Sequence, residues 1–164
     1  MIGQRRDESR FTRSDDDDFC RRFDGLQIAL NGVLNMMTQG EMEAAVCEGI
    51  SRFEQEYMGR GPKEVRCFLI QDLLLIRLQG VLTAAEQHLI QTVAPEKGRD
   101  LLKDVRTQLI EIARPTLQAL IESITGTKPI SLHHDISTIY GEEIIVFSLE
   151  SVPKLRPSTK GTRL

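Results

Sequence analysis

The fold of this chain is decided by the stretch VRCFLIQDLLLIRLQGV at residues 65–81. Two short runs of mostly aliphatic side chains, at 65–70 and 73–81, are separated only by Gln71 and Asp72. Apolar runs of strand length divided by a short polar break are typical of a β-hairpin. A second pair of such runs, at 130–138 and 143–149, flanks Tyr140 and Gly141 and predicts a second hairpin.

A helix is predicted before the first hairpin. It begins at a capping box, in which the Thr38 hydroxyl and the Glu41 carboxylate satisfy each other's free backbone amides. Gly59 supplies the left-handed residue that ends a helix, and Pro62 prevents its continuation. The helix presents one apolar stripe, made of Met42, Val46, Ile50, Phe53 and Tyr57.

Helical periodicity returns between the hairpins, where a second capping box joins Thr83 to Glu86. We expect Pro95 and Gly98 to interrupt this helical region. Pro115 is expected to kink or break the helix that follows, since proline removes a backbone donor and clashes with the preceding turn.

The resulting order is α-β-β-α-β-β, which predicts a two-layer α+β domain whose four mainly antiparallel strands are backed by helices. The helix-ending pattern Gly-x-x-Pro occurs at 59–62 and again at 126–129. Two explanations remain open at this point: duplication of one α-β-β unit, or ordinary helix-ending chemistry used twice.

The predicted strands are apolar on both faces. Val65, Cys67 and Leu69 point to one face, whereas Phe68 and Ile70 point to the other. A half-exposed antiparallel sheet should instead alternate apolar with polar residues. Because helices cover one face, the other needs a second cover, either residues 19–37 or another subunit. We predict a homodimer.

Composition excludes several classes of protein. The 164 residues carry a formal net charge of −3, which argues against a nucleic-acid-coating role. Three scattered cysteines, Cys20, Cys47 and Cys67, do not suit a disulfide scaffold or a zinc site and fit a reducing compartment. No apolar run approaches the roughly 20 residues of a membrane span. We therefore expect a cytoplasmic domain.

Charge patterning divides the chain into three parts. Residues 1–38 form an N-terminal extension, expected to be partly disordered, whose run Asp15 to Asp18 is interpreted as solvated. Within it, apolar residues at helical spacing over 19–37 indicate an amphipathic helix. Residues 39–152 form the α+β domain. Residues 153–164, with four bases and no acid, form a basic disordered tail.

An anion site is a second functional hypothesis. Backbone amides at Gly59 and Gly61 and the guanidinium of Arg60 are groups that bind anions, although this segment follows a helix and lacks the P-loop pattern. Arg77 is a base within an apolar strand and needs a carboxylate partner or a ligand. An ion pair is the favoured explanation for Arg77, and a helix stop is the alternative for residues 59–61.

A metal-dependent hydrolase is a third and weaker hypothesis. His133 and Asp135 share one strand face. Asp135 could orient the imidazole of His133 for acid–base work, or the two residues could supply two of the three protein ligands of a catalytic zinc. No third ligand is visible, and a polar strand face explains the same residues. No catalytic residue, metal site or cofactor is predicted.

Residues 40–151 resemble the MpsC-like family of small bacterial and archaeal domains. The resemblance lies in five segments of the sequence. They are GRGPKEVR at 59–66, IRLQGVLTAAE at 76–86, GRDLLKDVR at 98–106, ARPTLQALIESITG at 113–126, and HDIST followed by GEEIIVFSLE at 134–150.

The family is named after a component of a sodium-translocating, membrane-potential-generating system, whose companions are associated with inorganic carbon uptake. A chain without a span cannot itself move an ion across lipid. The resemblance therefore implies a non-enzymatic accessory or regulatory subunit, peripheral to the membrane through a transport subunit as partner. The family brings no catalytic residues with it.

Overall fold

Three helices and four strands make up the computed structural model, which describes residues 37–92 and 95–157. In chain order they are α1 (Gln39–Tyr57), β1 (Glu64–Ile70), β2 (Leu73–Gln79), α2 (Ala84–Thr92), α3 (Pro95–Thr125), β3 (Pro129–Ser137) and β4 (Glu142–Leu149). The α+β class and both hairpins are confirmed. The amphipathic helix predicted over 19–37 lies outside the described residues, apart from Met37.

The four strands form one antiparallel sheet in the order β1-β2-β4-β3. The two hairpins thus lie side by side, with the second strand of each hairpin at the centre. This is the order expected for two α-β-β units related by an approximate two-fold axis. The register aligns Cys67, Ile76, Ile145 and His134 across the sheet on one face.

Helices α1 and α3 pack on that same face, which is called the inner face below, and α2 packs on α3. The capping box of Thr38 and Glu41 starts α1 as predicted, with Thr38 N donating to Glu41 Oε2 at 2.7 Å. Gly59 ends the helix region with a φ of 74°. Apolar side chains from α1, α3 and the inner face form one core, whose largest members include Phe53, Phe147, Met42, Ile50, Leu74, Ile76, Leu78, Leu102, Ile110, Leu117 and Ile121.

Helix α3 begins at Pro95 and continues through Gly98 and Pro115, so Pro115 does not break the helix and the interruption expected at Gly98 is wrong. Pro115 lies on the exposed side of the helix, where water can bond the carbonyl that loses its amide partner. On the opposite side, Leu117 and Ile121 continue the buried stripe. Burial of two such side chains offsets the roughly 3 kcal/mol cost of an internal proline.

The opposite face of the sheet, called the outer face below, carries apolar side chains without a covering helix. Phe68, Ile70 and Leu73 are 43%, 56% and 42% exposed, so no described element covers them. Leu75 and Val146, at the centre of this face, are half-buried. The prediction that β1, β2 and β4 are apolar on both faces is confirmed.

The first residues of the predicted C-terminal tail contact the domain. Pro153 is buried and Leu155 packs against the core. Arg156 N donates to Met37 O at 2.8 Å, which holds the two ends of the domain together. Residues 158–164 lie outside the described part of the chain.

Candidate functional site

A buried arginine lies between the helices and the inner face of the sheet. Arg106 of α3 is 1% exposed. Its Nη1 donates to Glu143 Oε2 at 3.0 Å, and its Nε and Nη2 donate to the two carboxylate oxygens of Glu86 at 3.0 and 3.2 Å. Nη2 also donates to Val81 O at 3.0 Å, and Glu54 Oε2 lies 3.8 Å from Nη1. One guanidinium thus joins β4, α2, α1 and the loop after β2.

Three carboxylates around one guanidinium leave an excess of negative charge in a dry site. Burial, followed by the negative charge of Glu143, raises the pKa of Glu54 to about 8, against the opposing effect of Arg106. Glu54 therefore holds a proton at neutral pH. His134 Nε2 lies 2.7 Å from Glu143 Oε1, and both atoms are buried without a hydrogen-bond partner among the described residues.

The buried arginine organises the loop that leads from β2 into α2. The second capping box is present, since Thr83 N donates to Glu86 Oε2 at 2.6 Å. Burial opposes ionisation of Glu86, but hydrogen bonds from Arg106 and from the Thr83 amide outweigh it and lower the pKa of Glu86. With Arg106, Glu54 and Glu143 at 0–1% exposure, these residues support the loop and offer no surface to a substrate.

A pocket of about 420 Å³ lies beside this loop, where the end of β2 meets the β3–β4 turn. Its lining includes three cationic side chains, Arg60, Lys63 and Arg99, and no carboxylate among the residues that the structure describes. Arg60 Nη1 donates to Leu82 O at 2.8 Å, and Gly80 N donates to Gly141 O at 2.9 Å. These bonds fix the wall of the pocket formed by the loop.

The structure brings one of the four predicted anion-site residues to this pocket. Arg60 lines it, whereas Gly59 is exposed and Gly61 lies against α1. Arg77 is on the outer face, where its Nε donates to Glu142 Oε2 at 2.7 Å. The ion pair favoured for Arg77 is therefore present, and Arg77 does not share a site with Arg60.

The residues of the hydrolase hypothesis are not arranged as a metal site. His133 is exposed on the outer face, and Asp135 accepts from Lys103 Nζ at 3.0 Å. Within residues 37–92 and 95–157, no three His, Cys, Asp or Glu side chains are placed to hold a metal ion. Burial raises the pKa of the free thiols of Cys47 and Cys67, which disfavours their thiolates.

Sequence reasoning missed the buried ionic residues, although a signal exists for each. Arg106 continues the apolar stripe of α3 between Leu102 and Ile110, a position that faces the core. Glu143 likewise shares its strand face with Ile145 and Phe147. A charged residue at a core position of an amphipathic pattern predicts a buried ion pair.

No helix among the described residues is long and apolar enough to span a membrane. No solved structure was found to match the chain. The chain is similar to the uncharacterised protein YbcI of Bacillus subtilis (strain 168), with 32% identity over 112 residues, 68% of this chain and 88% of YbcI. It is also similar to the uncharacterised protein YrhF of the same organism, with 29% identity over 100 residues, 60% of this chain and 79% of YrhF.

The family model that describes the Na⁺-translocating membrane potential-generating system (MpsC) matches residues 38–151. This match covers α1 to β4, including the buried arginine, the basic pocket and both faces of the sheet. The protein therefore belongs to the MpsC family.

Proposed function

We propose that this chain is a non-enzymatic accessory or regulatory subunit of a cation-translocating, membrane-potential-generating system, and that it assembles through the outer face of its sheet. The observation that carries the proposal is the set of exposed apolar side chains on that face, Phe68, Ile70 and Leu73. Contiguous apolar surface of this kind marks interaction sites in proteins. The proposed function of the protein is assembly with other subunits, which needs no catalytic site.

The first occupant of the outer face is a second copy of the chain. Read across the sheet from β1 to β3, one row of residues is Arg66, Arg77, Ile144 and Asp135. This row runs from positive to negative, and its end residues also pair within the chain, Arg66 with Glu64 and Asp135 with Lys103. A two-fold axis parallel to the strands reverses the order in the second copy, so that Arg66 of each copy faces Asp135 of the other. In the neighbouring row, the same two-fold axis places Leu75 of each copy opposite Val146 of the other.

The resulting dimer is a sandwich of two four-stranded sheets with helices on both outer sides. Two sheets packed face to face form an ordinary protein core, with strand directions within about 30° of each other. Here the apolar residues of β2 and β4 meet at the centre, and β1 of each copy lies over the polar outer row of β3 of the other. The dimer removes Phe68, Ile70 and Leu73 from water. It leaves the helices and the basic pocket free for a membrane partner.

The membrane partner is a subunit with several spans that moves the cation. The family's name supports this association, since it describes a Na⁺-translocating system. Ion movement across lipid requires membrane-spanning segments, and we assign these to the partner. The role of this chain is then to stabilise or regulate that partner from the membrane surface.

The test is purification of the tagged full-length chain from detergent-solubilised membranes of its native host, with an untagged strain as control. We expect a multi-span transport subunit to copurify with the tagged chain only. Deletion of the gene should lower the Na⁺-dependent membrane potential, and the wild-type gene should restore it. Recovery of no multi-span subunit, together with an unchanged potential, would refute the proposed role.

A further inference from the structure

The distribution of charge around the basic pocket is unlike that of the whole chain. The chain has 24 acidic and 21 basic residues, whereas the described lining has three bases and no acid. Charges of one sign gathered in a concave site raise the local concentration of ligands of the opposite sign. The pocket is therefore a place where anions accumulate on an acidic protein.

Arg99 presents an unused donor at this pocket. Its Nε is buried and has no hydrogen-bond partner among the described residues. A buried donor without an acceptor is costly, so such groups generally have a partner that is part of the functional state. Arg99 therefore keeps unused hydrogen-bonding capacity beside the pocket that it lines.

Arg60 and Lys63 are held in place by other contacts, and neither forms an ion pair with a carboxylate among the described residues. Arg60 is anchored by one hydrogen bond to Leu82 O, which leaves further guanidinium donors for a ligand. The Lys63 stem packs on Gly80, whose φ is 69° and where an added Cβ would lie 2.7 Å from Lys63 Cγ. The absence of a side chain at Gly80 lets the Lys63 stem lie against the backbone there.

The remaining lining suits an organic group. Ile90, Ile139 and Tyr140 line the pocket, together with Gln87 and Gln91. Its volume of about 420 Å³ falls within the roughly 300–1,000 Å³ of small-molecule sites, and a bare phosphate would fill only part of it. Cations together with apolar and aromatic side chains match a ligand with an anionic part and an organic part.

We infer that this pocket binds a small phosphorylated organic molecule of the nucleotide or sugar-phosphate class. Arg60, Lys63 and Arg99 contact the phosphate oxygens, and Ile90, Ile139 and Tyr140 pack against the organic part. The pocket shares no residue with the outer face, so this site and the assembly proposed above stand or fall separately.

The test is isothermal titration calorimetry of the full-length chain, at about 0.15 M salt so that diffuse attraction is screened. The probes are AMP, ADP, ATP and glucose 6-phosphate, compared with adenosine, glucose and inorganic phosphate. We expect at least one phosphorylated probe to bind at least about tenfold more tightly than its unphosphorylated counterpart and than inorganic phosphate, the change that one charged hydrogen bond provides.

Three variants locate the site. Arg99→Gln and Lys63→Gln should each weaken that binding about tenfold, whereas Arg114→Gln, which removes the same charge elsewhere on α3, should leave it unchanged. Melting curves verify that each variant is folded. The inference is overturned if no phosphorylated probe binds, if phosphate alone binds as tightly, or if Arg99→Gln and Lys63→Gln bind like Arg114→Gln.

Discussion

Arg106 Nη1 lies 3.0 Å from Glu143 Oε2, and the two side chains are 1% and 0% exposed. A fully buried ion pair contributes little when compared with a well-packed apolar pair, but removal of one partner leaves an uncompensated charge. In this chain the same guanidinium also holds Glu86 and Val81 O. The pair therefore links the core to the loop that borders the basic pocket.

Replacement of Arg106 by Met should strongly destabilise the fold, because Glu143 and Glu86 lose their buried counterion. We expect the free energy of unfolding to fall by about 3–5 kcal/mol in urea denaturation. Arg114→Met is the matched control on α3, since Arg114 pairs with the exposed Glu111 and should lose only a small fraction of that amount. Equal stability of the two variants would show that the buried charge is not needed.

Replacement of Glu54 by Gln should change how stability depends on pH. The pKa of Glu54 is about 8 in the fold and 4.5 in the unfolded chain, so unfolding releases a proton between these values. The stability that Glu54 contributes is complete below pH 4.5 and is lost as pH rises through 8. The slope from this one group reaches up to about −1.4 kcal/mol per pH unit.

Glutamine keeps the shape of the protonated acid and cannot release that proton. We therefore expect Glu54→Gln to match the wild type near pH 4 and to exceed its stability at pH 9, as measured by thermal melts at each pH. A wild-type curve that is parallel to that of Glu54→Gln over this whole range would exclude the proton on Glu54.

Replacement of Gly80 by Ala should destabilise the loop side of the pocket. The φ of 69° is strained for alanine, and its Cβ would lie 2.7 Å from the Lys63 side chain. The expected loss is about 1 kcal/mol or more. Gly40→Ala is the opposite case, because its Cβ meets nothing within 4 Å in α1, and it should gain up to about 1 kcal/mol. The same sign for both in chemical denaturation would contradict this explanation.

The elements of the fold were predictable because local patterns decide them. Two capping boxes, glycines that end helices and apolar runs of strand length place α1, α2 and all four strands within a few residues. Helix α3 was predicted less well, since Pro115 is a strong local signal against a helix. The apolar stripe on both sides of Pro115 packs against the sheet, and this tertiary packing outweighs the cost of the proline. Sequence periodicity alone does not show which of the two effects is larger.

The candidate pocket was predictable only at Arg60. Arg99 and Lys63 are 36 residues apart in the sequence numbering and belong to no shared motif, so only the fold brings them to one pocket. Arg77 failed as a partner of Arg60 because strand alternation places it on the outer face, beside Glu142. The burial of Arg106 and Glu143 was predictable, because each is a charged residue at a core position of α3 or β4. Their contacts were not predictable, because they depend on how α1 and α2 pack.

The central claim is that the outer face of the sheet is an assembly surface, and sedimentation equilibrium tests it most directly. The wild-type chain of 18.6 kDa should sediment at twice that mass, and Phe68→Asp at the monomer mass. Ile112→Asp, which places the same charge at an exposed apolar residue of α3, should remain a dimer. A wild-type chain that stays monomeric at all concentrations, or a folded Phe68→Asp variant that still dimerises, would contradict the account.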